Sequence, residues 1–343
     1  MTPTSRRTFL RNGLILGTGA LLGAPALRSA YAAEAQTMVL YNGQHAKTTQ
    51  ALVNAFTKAT GIQVEIRKGG STQLANQIIE EGSRSPADVF YAEESPPVDA
   101  LAEKGLLTRL PESTTKQVLP GYTSKNNEWL GVTARCRVTV YNTSMVKASE
   151  LPVSIMDMAT AAWKNRVGFV PTSGSFQEQI IAIKLLKGRD AALNWLKGLK
   201  EYGQIYNGNM AAMRAVERGE IATALVNNYY WFIVANEIGA KNMKSAIHYA
   251  GPKDPGGLIT VSSAGILKTG KHQAAAEKFL AYMVSQAGQE AIVDTVAEYP
   301  LRPGVKSPFA LKPFDQLNPP DVTPAQLGDA ADAVALRREA GLA

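Results

Sequence analysis

Between residues 38 and 91 the chain alternates strand-length and helix-length apolar patterns, an order that few folds accept. Residues 38–41 form an apolar run that stops at Asn42-Gly43, and 62–66 alternates apolar and polar side chains as a strand does. A third strand is predicted at 87–91. Between these, 48–60 places Ala51, Leu52, Ala55 and Phe56 on one helical face before Gly61, and 71–81 does so with Leu74, Ile78 and Ile79 before Gly82. Strand–helix–strand–helix–strand order predicts an α/β fold with a mostly parallel sheet covered by helices. A second run starts at 166–170, passes through a helix at 176–186 and reaches the apolar strand 221–226. Extended segments at 134–141 and 258–268 lie between and after the two runs, and a helix is expected at 273–285. Some 310 residues beyond the leader described below exceed one typical core, so two lobes joined by two crossover strands, a hinged clamshell, are expected. The expected division is 34–135 with 262–310 for the N-terminal lobe and 136–261 with 311–343 for the C-terminal lobe. Residues 313–324 read as a Pro-rich surface crossing before a last helix at 324–339.

The first 33 residues read as an export leader. Ser5-Arg6-Arg7-Thr8-Phe9-Leu10 has the twin-arginine pattern, an uncharged, mostly apolar stretch follows from 13 to 27, and Ala30-Tyr31-Ala32 offers a small-x-small cleavage site. Glycines and Pro25 interrupt the stretch, so it is too short to be a membrane span. No cysteine at the cleavage site provides for a lipid anchor, and an unanchored exported protein is expected in a Gram-negative periplasm. Cys136 is the chain's one cysteine and cannot form an internal disulfide; it reads as a buried core thiol. The formal charge of +7 overstates the mature chain's balance. Four arginines fall in the leader, leaving 32 basic against 29 acidic groups, and no basic stripe interleaved with aromatics points to nucleic acid.

Tyr229 and Tyr230 stand side by side in Asn227-Asn228-Tyr229-Tyr230-Trp231, immediately after the apolar run 221–226. Adjacent phenols are awkward core residues, because each hydroxyl needs its own partner when buried. The carboxyl end of a strand is also where an open α/β sheet binds its ligand. His45 follows the first strand and Glu93, with Glu94 beside it, follows the third, so all of these fall at strand ends. As anions, Glu93, Tyr229 and Tyr230 carry three negative charges and match a ferric ion, with His45 as a neutral nitrogen donor. Two octahedral positions are left for water or a small anion. Zinc or copper would more often draw several His or Cys ligands. Ser173, Gly174 and Ser175 precede a helix expected to begin near Phe176, where Ser175 and Glu178 have capping-box spacing, and Asn209 precedes another helical segment. Helix N-termini of this kind hold small anions, and they also serve as ordinary caps.

With these motifs assembled, the chain resembles the periplasmic ferric-iron-binding proteins, the solute receptors of iron(III) ABC importers. The resemblance rests on Tyr41-Asn42-Gly43-Gln44-His45, Asp88-Val89-Phe90-Tyr91-Ala92-Glu93, Pro171-Thr172-Ser173-Gly174 and Asn227-Asn228-Tyr229-Tyr230-Trp231, and it extends over the whole mature chain. It implies a type II periplasmic binding protein fold, with His45 and Glu93 from the first lobe and both tyrosines from the second. It also implies a synergistic anion, carbonate or phosphate, held by Ser173, Gly174, Ser175, Asn209 and Asn227. The implied partners are an inner-membrane permease and, through the leader, the twin-arginine translocase; a monomer is expected. Glu94 stands where phosphate-using members carry glutamine, and Ser175 where they carry alanine. An added carboxylate disfavours phosphate.

Two other readings compete. The same fold could hold a polyamine, thiamine or a phosphonate against the tyrosines. A serine enzyme of the penicillin-recognising class is suggested by Ser144-Met145-Val146-Lys147 and Lys268-Thr269-Gly270, although no S-D-N element lies between them.

Overall fold

The computed structural model describes residues 37–342; the leader and its cleavage site lie outside the described residues. The expected alternation is present. Strand β1 (Thr37–Asn42) leads to helix α1 (Ala46–Thr60), then β2 (Gln63–Lys68), α2 (Ser71–Glu81), β3 (Val89–Ala92) and α3 (Pro96–Glu103). Gly61 ends α1 with a left-handed φ of 76°, returning its N–H to the Thr57 carbonyl. A short α4 (Glu112–Thr115) precedes the long strand β4 (Trp129–Asn142). The second run is β5 (Val167–Phe169), α5 (Gly174–Lys187), α6 (Arg189–Tyr202), β6 (Gln204–Ile205), α7 (Asn209–Arg218), β7 (Thr223–Asn227) and α8 (Asn228–Ile238). Then come β8 (Ser245–His248), β9 (Ile259–Ile266), α9 (Gln273–Met283), α10 (Gln286–Val293), β10 (Tyr299–Pro300) and α11 (Ala331–Glu339).

The strands order as β2-β1-β3-β9-β4-β7-β5-β6, with β8 and β10 also pairing β4. Strands β1, β2 and β3 pair in parallel, as do β5, β6 and β7. Between the two parallel groups the pairing is antiparallel, β3 with β9, β9 with β4 and β4 with β7. Strand β4 changes partners along its length: 129–136 lies on β9, and from Arg137 onward it lies on β7 and β8. Nearly every residue of β4 is buried, as a strand covered on both faces requires. Cys136 is fully buried within it, and burial pushes its thiol up to about 12. Among the described residues no helix is long and apolar enough to cross a membrane.

Three sequence expectations need correction. Helix α5 starts at Gly174 with Ser173 as its cap, the Ser173 hydroxyl accepting from the Phe176 N–H at 3.3 Å. The Ser175–Glu178 box therefore does not form. Asn209 does not precede α7 but is its first residue. The last helix is split into a turn at Pro324–Gln326 and α11, because Gly328 and Ala330 both take positive φ.

The penicillin-enzyme motifs sit at opposite ends of β4. Lys268 follows β9 beyond the residues paired near Trp129, and donates to the Gly105 carbonyl, whereas Ser144 follows Asn142 and donates to its side chain. A strand of this length separates them by about 40 Å, so they form no common site.

Candidate metal centre

Strand β7 ends at Asn227 and α8 begins without a linker, which places Tyr229 and Tyr230 in a helical first turn. The Asn228 side chain fixes that turn: its Oδ1 accepts from the Cys136 N–H at 3.0 Å, and its Nδ2 donates to the Ala297 carbonyl at 2.9 Å. Tyr229 is fully buried, with the two phenol rings 4.3 Å apart between centroids. The Tyr229 hydroxyl donates to Glu93 Oε1 at 2.7 Å, a contact between residues 136 positions apart. His45 Nε2 lies 3.7 Å from the same oxygen and has no hydrogen-bond partner, and the His45 ring meets Tyr229 edge-on at 5.2 Å. Tyr230 accepts from the Asn209 amide at 3.3 Å. The structure thus brings His45, Glu93, Tyr229 and Tyr230 together from the β1–α1 loop, the β3–α3 loop and the β7–α8 junction.

The first two of these loops are braced against each other. Gly43 donates to the Tyr91 carbonyl, and a Cβ there would lie 2.8 Å from the Ser71 backbone, so no larger residue fits without moving the loop. The Ser71 hydroxyl accepts from the Glu93 N–H at 3.0 Å and so sets where Glu93 leaves the sheet. Gln44 Oε1 accepts from the His45 N–H at 2.8 Å.

On the opposite wall, Arg137 is buried in β4 and donates to Ser175 Oγ at 3.2 Å and Asn227 Oδ1 at 3.1 Å. It therefore joins two of the residues expected to meet the anion. Gly174 faces Glu94 so closely that a Cβ would collide with the Glu94 carboxylate. Ser173 uses its oxygen as the α5 cap, while the amides of Gly174 and Ser175 have no intrahelical acceptor by their position in the first turn. Arg137, Ser71 and Asn228 were not recognised as supporting residues in the sequence. A charged residue inside an otherwise apolar strand, as at Arg137, was the available signal.

Electrostatics favour protons in the metal-free cleft. Burial, then the neighbouring Glu93 charge, raises the Tyr229 phenol well above its ordinary value and pushes Tyr230 up to about 12. Burial, with Glu93 and Glu178 nearby, pushes Glu94 up to about 8. Burial works against the Arg135 charge, but Glu298, Tyr229, Glu93 and Glu178 together hold it above the usual range. Among the described residues no group of three or more His, Cys, Asp or Glu is placed to hold a metal. Phenol oxygens are therefore what distinguishes this cleft, and they are donors suited to a hard cation.

Comparison with known proteins agrees with the geometry. The family model for bacterial extracellular solute-binding proteins matches residues 42–290. The major ferric iron-binding protein of Neisseria meningitidis serogroup A is 46% identical over 327 residues, covering 94% of this chain and 98% of the relative. The chain belongs to the periplasmic ferric iron-binding proteins. A Serratia marcescens member, the Fe(3+)-binding periplasmic protein, is 36% identical over 95% of this chain and 98% of its own. The crystal structure of iron-bound HitA from Pseudomonas aeruginosa superposes with a TM-score of 0.87 at 51% identity, covering 90% of this chain and all of that one. The fold is the mixed α/β fold of periplasmic binding proteins, and the family consists of solute-binding transport proteins rather than enzymes.

Proposed function

We propose that this protein captures ferric iron in the periplasm and delivers it to an inner-membrane ABC importer. The observation that carries the reading is the meeting of Tyr229, His45 and Glu93 at one carboxylate oxygen, with the Tyr230 ring tilted against Tyr229. Tyr229, Tyr230 and Glu93 would bind the ion as anions and His45 as a neutral donor, so that the cargo's charge is neutralised by the protein. A carbonate or phosphate would complete the coordination from Ser173, Gly174, Ser175, Asn209 and Asn227; the Arg137 link between Ser175 and Asn227 supports that assignment. The two parallel strand groups would be the lobes, 34–135 with 262–310 and 136–261 with 311–343. Support comes from the change of β4 partners between Cys136 and Arg137 and from the packing of α11 on α5 and α6. The molecule would act as a monomer.

Metal analysis and a visible spectrum of protein isolated from the periplasm test this reading. One iron per chain with a phenolate charge-transfer band is expected; colourless, iron-free protein after loading with ferric citrate would reject it. Export would use the twin-arginine route. Changing Arg6 and Arg7 to lysine is expected to leave the precursor in the cytoplasm, because the pair is read by a receptor and not through charge alone. Cell fractionation measures this, and an unchanged periplasmic yield would point to a different route.

A further inference from the structure

Helix α3 begins in an unusual way. Ser95 occupies the cap position, but its hydroxyl does not cap its own helix, and the next two residues are Pro96 and Pro97. Prolines at the first two helical positions supply no N–H, so the amide that a serine cap serves at the second position is missing. The following amides, of Val98 and Asp99, are already taken by the Ser95 carbonyl. The hydroxyl is free to bond elsewhere, and it donates to Glu178 Oε1 at 3.4 Å, 83 residues away. Ser95 and Glu178 are both fully buried, and Glu178 Oε2 has no partner.

The two residues belong to different parallel groups, since α3 follows β3 and α5 follows β5. Beside them lies a cavity of about 240 Å³, lined by Asn76, Pro96 and Pro97 on one side and by Gly174, Gln177 and Val334 on the other. The Ser95–Glu178 bond joins α3 to α5 here, beside the close approach of Glu94 to Gly174. Glu93 is two residues before Ser95, so a bond from Ser95 to α5 restrains the segment that carries Glu93 toward Tyr229. We propose that Glu178 is a positioning residue for iron capture: from helix α5 it accepts the Ser95 hydroxyl at the start of α3 and so latches the Glu93–Ser95 segment in the metal-holding arrangement. The proposal rests on the ferric reading above.

The test measures release of iron to excess EDTA from the full mature protein loaded with ferric citrate, in wild type, Ser95→Ala, Glu178→Gln and the double variant. Ser95→Ala is expected to release iron about tenfold faster, the scale of one lost buried hydrogen bond. Its visible band maximum should be unchanged, because no ligand is altered, while the thermal midpoint of the iron-free protein should fall by no more than one buried hydrogen bond explains. Glu178→Gln keeps an acceptor for the Ser95 hydroxyl and removes only charge, so it should speed release less than Ser95→Ala, and the double variant should be no faster than Ser95→Ala alone. Wild-type release by Ser95→Ala, additive effects in the double variant, or a shifted visible band maximum would overturn the latch. If the wild type takes up no iron, the ferric reading itself fails, and the latch with it.

Discussion

Replacing Tyr229 and Tyr230 together by phenylalanine is expected to abolish the visible absorption of the iron-loaded protein and nearly all of its iron affinity. Phenylalanine keeps both rings, so the packing against His45 and within the pair survives, while the two anionic oxygens are lost. Loss of a supporting partner at a metal site costs 10–100-fold in affinity, so loss of a direct anionic donor should cost at least about 100-fold per tyrosine. The iron-free protein should lose only about 1 kcal/mol for the Tyr229 hydroxyl, because its acceptor Glu93 is partly solvent-exposed and water can replace the bond. His45→Ala should weaken binding less than either tyrosine change, since a neutral donor removes no charge from the balance. Titration against a competing chelator, followed at the charge-transfer band, orders the three variants. A tightly bound, coloured iron complex in the double variant would refute the ferric reading, and a larger loss at His45 than at the tyrosines would refute the charge argument.

Iron uptake should expel protons, and affinity should fall steeply as the solution is acidified. In the metal-free cleft both phenols hold their protons at neutral pH, Tyr229 well above its ordinary value and Tyr230 near 12. With both phenols as ligands, a ferric ion would take their deprotonated oxygens, so loading would displace two protons and apparent affinity should change by about 100-fold per pH unit. The direction is fixed: lower pH favours the protonated, empty cleft. Proton release in weakly buffered solution, corrected for the chelate that delivers the iron, should approach two per ion at pH 7. Release near zero would mean that the phenols are not the ligands. The same shifts act on the iron-free fold in the opposite range. A phenol whose folded value is raised from 10 to about 12 contributes stability that is fully present below pH 10 and lost as pH rises through 12.

Much of this architecture was legible in the sequence because it rests on local periodicity. Strands β1 to β3 and helices α1 and α2 fall where the apolar spacing and the stop signals at Gly61 and Gly82 put them. His45, Glu93 and the tyrosines were singled out because each lies at a strand end, and the fold brings the four together. What was missed depends on contacts with no sequence period. Ser175 and Glu178 have capping-box spacing, but spacing alone does not decide which serine caps; the structure uses Ser173 and sends Glu178 to Ser95. The Pro96-Pro97 pair was visible, yet only the fold shows what the freed hydroxyl reaches. Gly328 was likewise a visible break within the last expected helix. Arg137 was visible as a charge in β4, but its two partners are 38 and 90 residues away.

Strand β4 also bears on how the chain comes apart. Its first eight or so residues find their ladder partners in β9 and its last six in β7 and β8, without an interruption at the point of exchange. Neither parallel group keeps a complete sheet edge once the other has melted, because the shared strand would be left with half its backbone groups unpaired in an apolar setting. A chain with two leaves could in principle denature leaf by leaf. Here the common strand is expected to bind the two parallel groups into one cooperative unit, so that neither melts on its own.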